Sequence, residues 1–207
     1  MCSDSIDAIH AFDGHDAAAP GTLDIGAHCA TSADRDFLRS VFISTRRAEF
    51  ARSGLESARI DALLAEQFEI QDAYYRRHYP HGHFEIVTYG VGDIGRLYHD
   101  WDSTELRLID IALLPSFRGR GIGTRLMHAL VAEASRRALA ASLYVEMDNP
   151  VRSLYRRLGF VTAGENGVYE IMRREVAPFQ DVVPMPSADA NLSERFRKIC
   201  SQSATHV

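Results

Sequence analysis

The spacing of apolar residues predicts one short strand and two helices in the first third of the chain. Apolar and polar residues alternate over 22–25, which is typical of a strand. After a capping segment at 32–35, apolar residues recur at helical spacing. A second helix is predicted over about 56–78, ended by Pro80. Its predicted apolar side consists of Ile60, Leu63, Leu64, Phe68 and Ile70.

The rest of the chain alternates between strands and helices. Strands at 84–89 and 94–101 predict a hairpin, and the most apolar strand, at 106–114, is expected to be central. A helix at about 121–139 follows it. The remaining predicted elements are a strand at 142–147, a helix at 150–158 and two closing strands at 160–161 and 168–172.

This order, β-α-α-β-β-β-α-β-α-β-β, predicts an α/β (α+β) domain in which helices cover a mixed sheet. We place the domain at 21–174. Residues 1–20, rich in Asp, Ala and Gly, are interpreted as a flexible lead. Residues 175–207 are interpreted as a C-terminal tail with one short helix at about 192–199.

The composition is ordinary for a soluble protein, with 46% of the 207 residues hydrophobic and 25% charged. A net charge of −5 gives no reason to expect nucleic acid or a membrane as a partner. No apolar run approaches the ~18 residues of a spanning helix. The N-terminus lacks the basic segment of a secretory signal, and three cysteines are scattered. We therefore expect a cytoplasmic protein. His78, His81 and His83 flank a turn, so no metal site is predicted.

The chemically distinctive segment lies between the central strand and the next helix. It reads LLPSFRGRGIGT over 113–124. The first amides of a helix lack intrahelical partners, and with the helix dipole they attract anions. Glycines let a phosphate approach the backbone, and the two arginines add charge. The segment therefore predicts a phosphate or pyrophosphate site; the alternative is a tight turn with solvated arginines.

Two common phosphate motifs do not fit this segment. A P-loop needs four residues between its glycines and then Gly-Lys-Ser/Thr. The dinucleotide fingerprint needs a third glycine where Leu126 stands, and a parallel βαβ unit near the start of the fold. This loop follows antiparallel strands instead.

Two motifs together resemble the GCN5-related N-acetyltransferases (GNAT). Arg118-x-x-Gly121-x-Gly123 resembles the acyl-coenzyme A signature of that family. The second motif is Asn149 followed by Tyr155-x-x-x-Gly159-Phe160, with six residues from Asn to Tyr where seven is commoner. We expect this spacing to alter the start of the last helix. The resemblance covers about 22–174 and implies a mostly antiparallel sheet of six to seven strands with a V-shaped splay and about four helices.

The resemblance also implies acetyl-coenzyme A as co-substrate, without a metal. The central strand near Leu113 and the strand at 142–147 would hold its pantetheine arm, and amides near Leu113 would stabilise the oxyanion. Asn149 either bonds that arm or caps its helix. The implied pyrophosphate-binding segment is Arg118, Gly119, Arg120, Gly121, Ile122, Gly123 and Thr124.

Three residues are candidates for proton transfer. Tyr155 matches the general acid of the family; the alternative is a packing tyrosine. Glu146, late on its strand, is a candidate base or a solvent-facing carboxylate. Asp110 is a second candidate base, because a carboxylate in so apolar a strand must be paired, at an edge or functional.

The acceptor site is expected at the second helix, which walls that site in the family. Gln67, Gln71, Tyr75 and Tyr79 form one stripe, from which Gln71 and Tyr75 are the candidate substrate residues. The alternative is a solvated face.

We therefore expect an N-acetyltransferase in which a primary amine attacks acetyl-coenzyme A directly in a ternary complex. The acceptor would be a small-molecule amine or a peptide or protein amine. The alternative is a non-catalytic acyl-coenzyme A-binding sensor of the same fold. A toxin that acetylates aminoacyl-tRNA is a third interpretation, which the acidic charge balance disfavours. Family members are often dimers, so a homodimer is an expectation.

Overall fold

The computed structural model describes residues 25–50 and 53–176. The strands in this part of the chain are β1 (Ile25–Cys29), β2 (His83–Tyr89), β3 (Gly92–Trp101), β4 (Glu105–Leu113), β5 (Ala140–Glu146), β6 (Val161–Asn166) and β7 (Tyr169–Arg174). The α-helices are α1 (Arg35–Arg46), α2 (Ser57–His78), α3 (Ile122–Arg136) and α4 (Arg152–Arg157).

The seven strands form one sheet in the order β1-β2-β3-β4-β5-β7-β6. Neighbouring strands are antiparallel except β4 and β5, which are parallel. This arrangement confirms the predicted fold, a mixed and mostly antiparallel sheet flanked by helices.

The two central strands separate partway along their length. β4 pairs with β5 only from Glu105 to Leu108, opposite 140–143. On its other side, β4 pairs Asp110 with Tyr98 but Leu108 with His99, so Ile109 is an extra residue in a β-bulge. Beyond the bulge, β4 follows β3 and leaves β5. The predicted V-shaped splay is therefore present.

Two apolar clusters cover the two faces of the sheet. The larger one packs α3 and α4 against the sheet, with Leu126, Leu130 and Leu143 among its buried members. The other packs α1 and α2 against the opposite face, around Phe42 and Phe68. The splay thus lies between one helical layer on each side.

The prediction that Ile70 belongs to the apolar side of α2 is wrong, because 64% of its surface is exposed. The buried positions Ile60, Leu64 and Phe68 follow a four-residue spacing. A residue two positions after Phe68 lies about 200° around the helix, on the solvent side.

Several element boundaries differ from the predicted ones. The chain leaves α3 at Arg136, shortly before Ala138 adopts a φ of 55°. β6 continues to Asn166, well beyond the predicted strand at 160–161. Of the strand predicted at 22–25, only Ile25 is described, and there the strand runs on to Cys29. The predicted lead at 1–20 and the predicted helix at 192–199 lie outside the described residues.

None of the helices in the described part of the chain is long and apolar enough to cross a membrane.

Candidate active site

A cleft of about 890 Å³ opens where β4 and β5 separate. Its walls come from the ends of both strands, the loop at 113–124 and helices α1, α2 and α4. Of the residues predicted from the sequence to form the site, all except Arg120 line this cleft. The fold therefore brings together residues that are up to about eighty positions apart in the chain.

The glycine loop presents bare backbone to this cleft. Gly119 and Gly121 have φ values of 72° and 76°, in the left-handed region that favours glycine. Apart from its immediate chain neighbours and the backbone of its own helix, a Cβ atom placed on Gly119, Gly121 or Gly123 would meet no protein atom within 4 Å. The space over the loop is therefore open to a ligand.

The start of α3 adds unpaired amides to this open space. The first backbone hydrogen bond of the helix runs from the Arg125 N–H to the Gly121 carbonyl, at 3.0 Å. The amides of Ile122, Gly123 and Thr124 precede it, so they are the helix's orphan donors. Such donors, with the helix dipole, suit a phosphate or pyrophosphate group.

The two arginines of the loop make contacts within the chain. Arg118 donates from Nε to the Leu113 carbonyl at 2.7 Å and from Nη2 to the Ser44 carbonyl at 3.2 Å. It thus ties the loop to the end of α1. Arg120 lies with its guanidinium 5.4 Å from the Phe117 ring centroid and does not line the cleft. Direct contact of either arginine with a phosphate stays a prediction.

Tyr155 reaches the cleft from α4 and is otherwise enclosed, with 5% of its surface exposed. Its ring meets Phe160 edge-on at 6.0 Å. Burial, followed by the negative charge of Asp110, raises the pKa of the phenol well above its usual value. The phenol therefore keeps its proton throughout the physiological range.

Asn149 lies at the cleft, and its side chain also closes the turn before α4. Its Oδ1 accepts a hydrogen bond from the Val151 N–H at 3.0 Å. This bond closes the turn before α4 and is not a cap of the helix itself, whose N-cap is Val151 and has no side-chain cap hydrogen bond. It uses the oxygen of the amide and leaves the N–H donors for a ligand.

Both candidate bases are paired with arginines. Glu146 is 3.2 Å from Nη1 of Arg46, and each side chain is 31% exposed. Asp110 is 2.7 Å from Nη2 of Arg96, with side chains 15% and 4% exposed. Of the three alternatives for a carboxylate in an apolar strand, which are that it is paired, at an edge or functional, the structure shows that Asp110 is paired. Glu146 is the more accessible of the two.

The helical stripe of α2 reaches the cleft only through Gln71 and Tyr75. Gln71 Oε1 accepts from Nη2 of Arg96 at 3.0 Å, and the Tyr75 hydroxyl donates to Asp110 Oδ2 at 3.4 Å. Burial and the charge of Asp110 raise the pKa of Tyr75. These side chains form one polar network on the α1–α2 side of the cleft.

Sequence reasoning missed several residues that line the cleft, chiefly Arg46, Glu49, Arg96 and Tyr169. Arg96 could have been found from the sequence, because it is a charged residue among the apolar residues of β3, just as Asp110 is in β4. Tyr169 carried none, because only the pairing of β7 with β5 places it opposite Glu146.

Within 25–50 and 53–176, the structure holds no group of three or more His, Cys, Asp and Glu side chains that could bind a metal ion.

Solved acetyltransferases have the same fold. PaiA N-acetyltransferase from Thermoplasma acidophilum, in complex with coenzyme A, is 18% identical, with a TM-score of 0.56 over 74% of this chain and 99% of that chain. A protein described as histone acetyltransferase HPA2 and related acetyltransferase, from Corynebacterium glutamicum, is 21% identical, with a TM-score of 0.54 over 80% and 99%. The ribosomal-protein-S18-alanine N-acetyltransferase of Escherichia coli is 17% identical, with a TM-score of 0.50 over 78% and 99%.

At these identities the likeness shows the fold. No curated protein matches the sequence closely enough to count as a relative. Residues 55–160, just over half of the chain, match the Acetyltransferase (GNAT) family. The matched segment includes the glycine loop, Asn149 and Tyr155, the residues on which the resemblance rested. The chain therefore belongs to the acetyltransferase (GNAT) family.

Proposed function

We propose that the protein is an N-acetyltransferase that moves an acetyl group from acetyl-coenzyme A to a primary amine. The observation that carries this proposal is that the bare glycine loop opens into the cleft where Tyr155, Glu146 and Asp110 lie. Family membership and the coenzyme A bound by the Thermoplasma protein support the choice of donor.

The residues present fit coenzyme A. The open space over the glycines and the orphan amides at 122–124 suit its pyrophosphate. The separated edges of β4 and β5 leave backbone groups for the amides of the pantetheine arm. When bound, acetyl-coenzyme A supplies an activated thioester whose sulfur leaves as a thiol.

Side chains of the protein would carry out two proton transfers, one from the amine nitrogen and one to the departing sulfur. The amine attacks in its neutral form. As the C–N bond forms and the C–S bond breaks, a base takes one proton from the nitrogen. The departing sulfur receives one proton from Oη of Tyr155. The backbone amide of Leu113, at the edge of the cleft, is our candidate donor to the carbonyl oxygen as negative charge develops there.

We assign the base to Glu146 ahead of Asp110. Asp110 Oδ2 already accepts hydrogen bonds from Arg96 and Tyr75, and its side chain is 15% exposed. Glu146 has one arginine partner and twice that exposure, so water and an amine reach it more easily. The carboxylate therefore takes the amine proton directly or through one water molecule.

Free thiol release from acetyl-coenzyme A, measured against a panel of amines, tests this function. The panel comprises polyamines, aminoglycosides, amino acids and short peptides. Self-acetylation gives little background, because Lys198 is the one lysine in the sequence. Release that depends on an added amine is the expected result, whereas coenzyme A binding without release for any amine would favour a sensor.

A further inference from the structure

Arg96 is a buried cation held at the acceptor side of the cleft. It lines the cleft although only 4% of its side chain is exposed. Its guanidinium carbon lies 5.7 Å from the Phe42 ring centroid and 5.3 Å from that of Tyr98. Aromatic rings at these distances attract a guanidinium and restrict its orientation. The remaining hydrogen-bond donors of Arg96 therefore point in fixed directions.

The hydrogen bonds that Arg96 makes do not use all of these donors. Nη2 donates to both Asp110 and Gln71. Nε is enclosed by protein and has no partner within the described residues. Nη1 makes no hydrogen bond with these residues either and is not enclosed, so it is the donor that a ligand can reach. A guanidinium carries five N–H donors, and a buried donor without an acceptor is unfavourable. The site is thus incomplete until an oxygen from a ligand or a water molecule reaches it.

The charges around this site have both signs. Arg96 is paired with Asp110, and Arg46 is paired with Glu146 and lies 3.5 Å from Glu49. A purely cationic acceptor, such as a polyamine, would meet two arginines and leave the unfilled donor of Arg96 without an acceptor. A molecule that carries an amine and an anionic oxygen matches both kinds of charge.

We propose that the acceptor is a small amine that also carries a carboxylate, as an α-amino acid does, and that Arg96 binds this carboxylate. The inference rests on the proposed function, because it names the substrate class of the same cleft. Asp110 and Gln71 hold the guanidinium, and the substrate carboxylate takes its unfilled donors. The amine then lies towards Glu146, where its proton is removed. The depth of Arg96 favours a small molecule.

Matched acceptors test the inference without changing the protein. Each α-amino acid of a panel is compared with its amide and with the amine that lacks the carboxylate altogether. We expect kcat/KM to fall about 10- to 100-fold on loss of the carboxylate, mainly through KM, since a hydrogen bond to a charged group is lost. Equal kcat/KM for the three forms would leave the acetyltransferase function standing and overturn the inference.

Variants of Arg96 test the residue itself. Arg96→Gln is expected to remove the preference for the carboxylate, and Arg96→Lys to restore part of it. The matched control is Arg39→Gln, since Arg39 pairs with Glu69 of α2 and does not line the cleft. If Arg96→Gln folds, as shown by its melting temperature, and still prefers the carboxylate, the assignment is wrong. If Arg96→Gln does not fold, the carboxylate preference of Arg96→Lys and the comparison of matched acceptors with wild-type protein test the assignment instead.

If no amine of the panel causes thiol release, the result counts against the proposed function, but the inference about the carboxylate site can still be tested. Calorimetric titration of the coenzyme A-loaded protein with amino acids and with their amides then measures binding directly. Binding of the acids alone supports the carboxylate site, and equal or absent binding of both overturns it.

Discussion

At the scale of single residues, Tyr155 and the two carboxylates have different proposed roles: Tyr155 is the proton donor, and Glu146 and Asp110 are the candidate bases. The Tyr155 phenol is enclosed by protein on all but its cleft side, and burial keeps it protonated. Each carboxylate instead faces an arginine. Removal of these groups should therefore give different results.

Tyr155→Phe should lower kcat about 100-fold and leave the affinity for coenzyme A unchanged, because it removes a proton donor and keeps the ring packed on Phe160. Since the pKa of Tyr155 is raised, the wild-type rate should show no alkaline loss from this group below the ordinary phenol pKa of 10. Steady-state kinetics across pH and coenzyme A titration check both points. Tyr74→Phe, at an exposed position on α2, is the control. Unchanged kcat in Tyr155→Phe would remove Tyr155 from the mechanism.

Asp110→Asn and Glu146→Gln should separate stability from catalysis. Asp110→Asn leaves buried Arg96 without its counter-charge, and breaking a buried pair costs about 3–5 kcal/mol. Glu146→Gln breaks a partly exposed ion pair, which contributes about 1 kcal/mol or less to stability. The same variant should lower kcat about 100-fold, because it removes the proposed base. Urea unfolding and kinetics on both variants measure these effects. Full activity in Glu146→Gln would shift the base to Asp110 or to water.

Residue types and motif spacing predicted most of this site. Asp110 is a candidate because a carboxylate is costly in an apolar strand. Its partner is Arg96, a charged residue that is likewise placed in an apolar strand, β3. Pairings of this sort cannot be derived from one strand, since they depend on which strands become neighbours.

At the scale of elements, the loop and the start of α3 form the anion site. Gly123 has an ordinary helical conformation and open space at its Cβ position, so a side chain there would fill the ligand's place without disturbing the protein. Gly123→Val should therefore leave the melting temperature of the ligand-free protein nearly unchanged. We expect its Kd for coenzyme A to rise at least about tenfold, which corresponds to about 1.4 kcal/mol.

Differential scanning fluorimetry and calorimetric titration check this prediction. Gly92→Ala is the control, as its Cβ would lie at an ordinary 4.0 Å from the Tyr89 carbonyl, outside the cleft. Tight coenzyme A binding by Gly123→Val would place the pyrophosphate elsewhere.

Gly95 provides a contrasting prediction for the neighbouring strands. A Cβ on Gly95 would lie 2.3 Å from the Ala112 carbonyl oxygen, which is backbone of β4 and cannot yield easily. Gly95→Ala should therefore destabilise the protein by about 1–3 kcal/mol. The free energy of unfolding measures this, and a stability equal to that of wild type would show that β3 and β4 are not so closely apposed.

The elements themselves were largely predictable, whereas the bulge was not. Periodicity located α2 and β4 to within two residues. The extra residue at Ile109 follows from the register against β3, which the sequence of β4 alone does not contain. That register opens the cleft.

At the scale of the whole molecule, a partly buried histidine of β2 should make stability depend on pH. His83 stacks on the fully buried His99, and burial, followed by the charge of His99, lowers the pKa of His83 to about 4. The unfolded chain takes up this proton near pH 6.5. Between pH 6.5 and 4 the unfolded state thus binds more protons, so the free energy of unfolding falls as the pH is lowered.

His83→Gln should reduce this loss of stability, as urea unfolding between the two pH values would show. His78→Gln, at an exposed position of α2, is the control. An unchanged slope in His83→Gln would assign the loss to carboxylates instead.

The order of the strands in the sheet could not be predicted from the spacing of apolar residues along the chain. The parallel contact between β4 and β5 brings together strands separated by α3, and β7 rather than β6 follows β5. The family resemblance supplied this topology in outline, through the loop and Tyr155. Polar residues from eight of the labelled helices and strands meet in one cleft as a result.

Transfer of an isotopically labelled acetyl group, followed by mass spectrometry, tests the central claim most directly. Labelled acetyl-coenzyme A is incubated with an amine panel and with wild-type protein, Tyr155→Phe or Gly123→Val. The account predicts one labelled acetyl group on the nitrogen of a particular acceptor with wild type and much slower labelling with both variants. Coenzyme A binding with no labelled amine, or equal labelling by all three proteins, would contradict it.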